Sequence, residues 1–188
     1  MGQYYSPIIK NIDGRVQTFY AHQYDNGLKL TEHFYIGNNF VAAILNELKT
    51  LHQVWWLGDY ATFNDFKNKE FALYSKERAL YQNTKTLRVL PTVKNQEWTY
   101  DNGFLINLVK REYIQLDPYD DQIWQVCPLP LLTAVGNGKG CGDYSGINED
   151  KVGIWAGDLI MFSYNFSIPK YHKHSFTDKT EEYIFKTK

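Results

Sequence analysis

The sequence lacks the features that would place it in a membrane, on nucleic acid or around a structural metal. No apolar run among its 188 residues approaches the roughly 20 residues of a membrane-spanning helix, which predicts a soluble protein with no membrane partner. Its 20 basic and 21 acidic residues nearly cancel, so bulk charge does not attract a nucleic-acid polymer. The two cysteines, Cys127 and Cys141, have no metal-ligand spacing, and we expect no metal and no other cofactor.

The first residues contain no basic stretch followed by an apolar one, so the sequence carries no sign of a secretory signal. Free thiols agree with a reducing compartment, and we therefore expect a cytoplasmic protein.

Aromatic side chains are what the sequence has in excess: 15 Tyr, 11 Phe and 5 Trp, with Tyr outnumbering Ala. A chain of this length buries roughly 70% of the surface that its unfolded form exposes. With 44% hydrophobic residues, it is expected to fold around a sizeable aromatic core rather than remain disordered.

Hydrophobic periodicity predicts an α+β fold of antiparallel strands with two main helices. Residues 3–10 and 15–22 are predicted to form a hairpin around an Asn-Ile-Asp-Gly turn. One helix is predicted from Asn38 or Asn39 to about Leu51, and a second from Thr62 to about Tyr81. Further strands are predicted at 53–57, 86–93, 97–100, 104–109, 112–116, 123–126, 154–155, 159–164 and 182–185. No linker-like segment interrupts residues 1–188, which predicts a single compact domain.

An internal repeat is suggested by two short motifs. Trp-Leu-Gly-Asp at 56–59 recurs as Trp-Ala-Gly-Asp at 155–158, and Ile-Gly-Asn at 36–38 is echoed by Val-Gly-Asn at 135–137. Both pairs have the same displacement and the same order, which favours an ancient duplication with halves of about 1–95 and 96–188 packed as two related lobes. The alternative is chance, since Gly-Asp and Gly-Asn are common turn pairs.

The segment Gly-Asn-Gly-Lys-Gly-Cys-Gly-Asp-Tyr-Ser-Gly at 136–146 is the sharpest candidate site. Its five glycines allow successive backbone N–H groups to converge into an anion-binding concavity. Lys139 adds a positive charge and Tyr144 an aromatic face, so the segment suits a phosphate or a carboxylate. It matches neither a P-loop nor a dinucleotide-binding fingerprint. The alternative is a surface loop that binds nothing.

Asp59 and Asp158 each follow Trp-x-Gly and suggest a pair of carboxylates for acid/base or metal chemistry. The alternative is that each aspartate caps its own turn.

Trp56 and Trp155 are either ligand platforms or core anchors. His33, beside Glu32, is a candidate general base, with a hydrogen-bonded structural histidine as the alternative.

Several segments together resemble a family of small bacterial and phage-borne proteins. They are Met-Gly-Gln-Tyr-Tyr-Ser-Pro at 1–7, Gly-Leu-Lys-Leu-Thr-Glu-His at 27–33, Trp-Leu-Gly-Asp-Tyr-Ala at 56–61 and Gly-Asn-Gly-Lys-Gly-Cys-Gly-Asp-Tyr at 136–144. The resemblance implies an intracellular protein of mobile-element origin. It implies no mechanism, so no catalytic residue is carried over from it.

The sequence leaves three functional hypotheses open. The first, which we favour, is a non-catalytic binder of a small phosphorylated or nucleotide-like ligand; the phage resemblance adds sequestration of a signalling nucleotide as one expected role. The second is a metal- or carboxylate-dependent hydrolase or phosphodiesterase, and the third is a protein–protein interaction module. The candidate ligand-binding residues are Asn137, Gly138, Lys139, Gly140, Asp143, Tyr144, Trp56, Asp59, Tyr60, Trp155 and Asp158.

Overall fold

The computed structural model describes residues 2–35, 37–65, 88–89, 103–116, 126–166 and 173–187, and within these ranges its largest element is a nine-stranded, mainly antiparallel sheet. The strands are β1 (Tyr5–Asn11), β2 (Val16–Thr18), β3 (His52–Gly58), β4 (Arg88–Val89), β5 (Gly103–Asn107), β6 (Glu112–Leu116), β7 (Ala134–Val135), β8 (Gly146–Ile147), β9 (Leu159–Ser163), β10 (Thr177–Asp178) and β11 (Lys186–Thr187). The sheet order is β10-β6-β5-β9-β3-β1-β2-β4, with β7 pairing with β3. Strands β8 and β11 form a separate ribbon.

The hairpin predicted at the start of the chain is confirmed. Strands β1 and β2 pair antiparallel, with Lys10 opposite Val16, and Gly14 in the turn has φ +83°, a conformation that favours glycine. Strand β2 ends at Thr18, earlier than predicted, because the chain turns into a short 3₁₀ helix at Ala21–Tyr24.

Three helices complete the described fold: α1 (Leu30–His33), α2 (Asn39–Glu47) and α3 (Pro128–Leu132). Helix α2 confirms the predicted helix after Asn38. The Asn38 side chain accepts hydrogen bonds from the N–H groups of Phe40 and Val41, which is the N-cap arrangement that satisfies free donors at a helix start. The helix ends at Glu47, about one turn before Leu51, because the chain then enters β3.

The strands predicted from the second half meet the first half in the middle of the sheet. Strands β5 and β6 form an antiparallel hairpin, and β9 pairs antiparallel with β5 on one side and with β3 on the other. Strand β1 is the other neighbour of β3, with Tyr5 opposite Gly58. The start of β1 therefore lies beside the end of β3.

Both faces of the sheet centre are buried and contain many of the aromatic side chains of the described residues. Because side chains alternate along a strand, Val54 and Trp56 enter the main core under the helices, while Trp55 and Leu57 pack in a second cluster on the opposite face. A third cluster contains Phe104, Ile106, Tyr113, Met161 and Phe176.

Two predicted strands are wrong. Residues 154–155 lie in a series of turns, because Gly153 and Gly157 adopt φ values of +78° and +82° and fold the chain back on either side. Residues 182–185 also lie outside any strand, and the C-terminal strand is instead Lys186–Thr187, which pairs with β8.

Several predictions fall on residues outside the described ranges. They concern the second helix beyond Asp65, the strand at 97–100 and most of the strand at 123–126. Of the strand predicted at 86–93, the described part is β4 (Arg88–Val89).

The structure does not show the predicted duplication. Trp56 lies within β3, whereas Trp155 lies in a turn, so the two Trp-x-Gly-Asp segments have different backbones. Asn38 caps a helix, whereas Asn137 exchanges two hydrogen bonds with the backbone of Tyr144. Strands from both halves share one sheet. In the described part of the chain, no helix is long and apolar enough to cross a membrane.

We expect Asn38→Ala to destabilise the protein by about 2–3 kcal/mol, because it removes the cap of α2 and leaves the carbonyl groups of Glu32 and His33 without the amide that bonds them. Urea denaturation measures this loss. Asn38→Asp keeps the capping oxygen and should lose less. The exposed neighbour Asn39 is the matched control, and Asn39→Ala should change stability by no more than about 0.5 kcal/mol. Equal losses for the two alanine variants would contradict the role of Asn38.

Candidate functional site

The glycine loop and the Gly58-Asp59 turn lie side by side. Strand β7 runs parallel to the end of β3, with Val135 opposite Leu57, so Gly136 leaves the sheet next to Gly58. The Gln3 side chain joins the two turns: its amide nitrogen donates to the carbonyl of Gly136 at 2.8 Å, and its oxygen accepts from the N–H of Tyr60 at 3.2 Å.

Backbone N–H groups of the glycine loop converge on one point, and the group that they bind is the chain's own Asp143 carboxylate. The N–H groups of Gly138, Lys139 and Gly140 all donate to Asp143 Oδ2, at 2.8, 2.8 and 3.0 Å. Three successive backbone donors on one oxygen is the arrangement of an anion nest. In this structure Asp143, which the sequence analysis placed among the ligand-binding residues, itself takes the position of the anion.

Two residues that the sequence reasoning missed complete the Asp143 site. The Gln3 amide nitrogen lies 3.0 and 2.9 Å from the two Asp143 oxygens, and the Tyr5 hydroxyl donates to Oδ1 at 3.1 Å. Burial, followed by the charge of Asp143, raises the pKa of Tyr5 far above its ordinary value, so the phenol remains a donor. Gln3 precedes β1 and is fully buried; a polar residue within the strand predicted at 3–10 is the signal that would have indicated a specific partner.

Lys139 does not present a free positive charge to solvent. Its ammonium forms an ion pair with Asp65 and donates to Thr62 Oγ1 at 3.1 Å. Burial raises the pKa of Asp65, but the hydrogen bonds from Lys139 and Thr62 outweigh it and lower the pKa overall. This pair fixes the 136–142 loop to the segment after β3.

The aromatic candidates divide into buried and accessible residues. Trp56, Trp155 and Tyr144 are buried in the main core, and Tyr144 has the rings of Phe34 and Phe185 edge-on at 5.7 and 5.6 Å. These three are core anchors, so the prediction that they contact a ligand is not supported by their burial. Tyr60 is half-buried beside the loop.

Asp59 and Asp158 do not form a carboxylate pair. Asp59 follows the end of β3, whereas Asp158 precedes Leu159, which lies opposite Gln53 at the start of β3. Asp158 is therefore level with Val54, and five residues of extended strand, or roughly 17 Å, separate that position from Asp59. Asp59 accepts from the N–H of Tyr4 at 3.0 Å, while the buried Asp158 accepts from Asn107 at 2.8 Å.

His33 is a structural residue of the core. Trp56 Nε1 donates to His33 Nδ1 at 2.8 Å, which leaves the proton on Nε2, and Nε2 donates to the carbonyl of Gly27 at 2.9 Å. Burial lowers the pKa of His33 to about 4, so the ring is neutral at physiological pH. With both nitrogens engaged and no exposed surface, it does not reach a substrate.

The surroundings of the loop are acidic. The charges of Asp143, Asp59 and Asp65 all raise the pKa of Tyr5, so three carboxylates lie within electrostatic reach of one phenol. Within the described residues there is nevertheless no group of three or more histidine, cysteine or acidic side chains that could hold a metal ion.

Comparison with protein-family models, with curated proteins and with solved structures finds no match for this chain.

Stability should fall as the pH is lowered from 6.5 to 4, because His33 takes up its proton at pH 6.5 in the unfolded chain and only near pH 4 in the folded one. Over that window the unfolded state binds more protons, and the loss amounts to about 3 kcal/mol. Denaturant unfolding at a series of pH values measures it.

His33→Gln removes the titrating ring while keeping one acceptor and one donor, so its stability should depend less steeply on pH over this window. The exposed His22 provides the matched control, and His22→Gln should retain the wild-type profile. A His33→Gln profile parallel to that of the wild type would contradict the assignment.

Proposed function

We propose that the protein is a non-catalytic binder of a small anionic ligand, phosphorylated or nucleotide-like, and that the glycine loop is its anion site. The supporting observation is the convergence of the Gly138, Lys139 and Gly140 N–H groups on a single oxygen position. Backbone donors arranged in this way accept a phosphate oxygen as readily as a carboxylate oxygen. The loop therefore has the donor geometry that the proposal requires.

Ligand binding at this loop requires Asp143 to leave the nest. An external anion competes with a carboxylate that is already attached to the chain and also bonded by Gln3 and Tyr5. The apparent affinity is then the intrinsic affinity multiplied by the fraction of molecules in which the nest is vacated. Asp143 thus acts as an internal competitor that sets how tightly an external anion binds.

Accessible aromatic groups next to the nest support a nucleotide-like ligand. Tyr4 is 47% exposed and immediately precedes β1, and its ring lies near Gly2, which forms a β-bridge with Cys141. Tyr60 follows the Gly58-Asp59 turn. A base stacked on one such ring gains about 1–3 kcal/mol.

Binding is better supported than catalysis by the positions of the acid/base candidates. Asp158 lies at the opposite end of β3 from Asp59, His33 is buried with both ring nitrogens bonded, and the Asp143 oxygens are held by five hydrogen-bonding groups. A hydrolase needs its acid, base or metal ligands within reach of one substrate atom. The hydrolase hypothesis is therefore the weaker one.

Asp143→Ala should convert the occupied nest into an open one. We expect phosphate, a mononucleotide or a cyclic dinucleotide to raise the melting temperature of this variant more than that of the wild type, with affinity at least about tenfold higher for the best ligand. Thermal-shift titration with each compound measures the difference. Asp143→Asn retains a side-chain oxygen for the nest and should gain less.

Asp150→Ala is the matched control, because it removes the same charge from an exposed position outside the nest. It should respond to anions as the wild type does. The proposal fails if the folded Asp143→Ala protein, verified by circular dichroism, is stabilised by none of these anions at millimolar concentration.

A further inference from the structure

Three aromatic rings at the far end of the sheet form a cage. Phe104 belongs to β5, Tyr113 to β6, and Phe166 follows β9. The three ring centroids lie 5.0–5.9 Å apart, and each pair meets edge to face. The rings therefore contact one another edge to face and present differently oriented surfaces rather than a flat stack.

An ammonium group occupies this cage. The Nζ atom of Lys173 lies over all three rings, at 4.6 Å from the centroid of Phe104, 4.9 Å from that of Tyr113 and 5.7 Å from that of Phe166. Each distance is within the range in which a cation is attracted to the negative face of a ring. Lys173 itself is exposed and begins a short 3₁₀ helix, Lys173–Ser175.

A carboxylate adds to the cation preference of the cage. Asp178 lies opposite Tyr113 in the pairing of β10 with β6. Burial, followed by the nearby Asp178 carboxylate, raises the pKa of Tyr113 to about 12. Burial raises the pKa of Asp178, but hydrogen bonds from Thr180, the nearby Tyr113 hydroxyl and the charge of Lys173 together lower it. The carboxylate is therefore ionised at neutral pH and favours a cation between the rings.

We propose that this cage is a binding site for an alkylated ammonium group, such as the trimethylammonium of choline or of a trimethylated lysine, and that Lys173 is its internal occupant. A lysine ammonium is strongly hydrated and held here from an exposed segment, so leaving the cage restores its hydration. A trimethylammonium group is larger and less hydrated than the lysine ammonium. It has the same positive charge and is attracted to the Asp178 carboxylate in the same way. The proposal is independent of the glycine loop.

Removal of the internal occupant tests the proposal. In the full-length Lys173→Ala protein we expect choline to bind about tenfold more tightly than in the wild type, because it no longer competes with Lys173. The neutral analogue 3,3-dimethyl-1-butanol has the same shape without the charge and should bind far more weakly. Isothermal titration calorimetry measures both affinities, and Lys173→Gln replaces Lys173→Ala should the alanine variant fail to fold.

Lys179→Ala is the matched control, since Lys179 lies in the same region but pairs with Glu182. It should bind choline as the wild type does. Adding Phe166→Ala to Lys173→Ala removes one wall and should abolish the gain in choline affinity. Comparison of choline with acetylated trimethyllysine amide then distinguishes a free small molecule from a modified protein side chain.

The proposal is overturned if Lys173→Ala binds choline and its neutral analogue equally, or binds neither. The cage would then serve to hold the 173–178 segment against the sheet. Choline affinity that is the same in wild type and Lys173→Ala would also overturn it, because Lys173 would not be the competitor.

Discussion

The Asp143 carboxylate is the interaction on which the proposed site depends. It accepts from three backbone N–H groups of the glycine loop and also binds Gln3, just before β1, and Tyr5, the first residue of β1. Through Gln3, the same network reaches the backbone of Gly136 and Tyr60. Because charged hydrogen bonds are stronger than neutral ones, this carboxylate fixes the loop, the N-terminal strand and the turn after β3 in one arrangement.

Local signals in the sequence predicted the elements that local physics determines. The Asp-Gly turn predicted the β1–β2 hairpin, the spacing of Val41, Ile44 and Leu45 predicted α2, and Asn38 predicted its cap. The strand predicted at 154–155 failed because two neighbouring glycines with positive φ decide the backbone there, and a pair of apolar residues does not reveal them. Likewise, the Trp-x-Gly-Asp motif predicted a repeat, although its two copies fold differently.

The candidate site was predictable only in part. Five glycines indicated converging donors, but the sequence did not show that Gln3, 140 positions from Asp143, would help to hold that carboxylate. Asp143 follows its donors by three to five residues, a separation at which aspartate often bonds nearby backbone, and this was the one local hint. Trp56 and His33 were unassignable for the same reason: their mutual hydrogen bond joins residues 23 positions apart, which has no periodic signature. In both proposed sites, the nest and the aromatic cage, a side chain of the protein itself occupies the ligand position.

Amide hydrogen exchange of the wild-type protein, followed by NMR, tests the occupied nest most directly. Gly138 and Lys139 lie on the surface, where amides without partners exchange rapidly. If Asp143 accepts from them as described, the amides of Gly138, Lys139 and Gly140 should be slowed together in the wild type, and all three should lose that protection in Asp143→Ala. Exchange of the three amides at unprotected rates in the wild type would contradict the account.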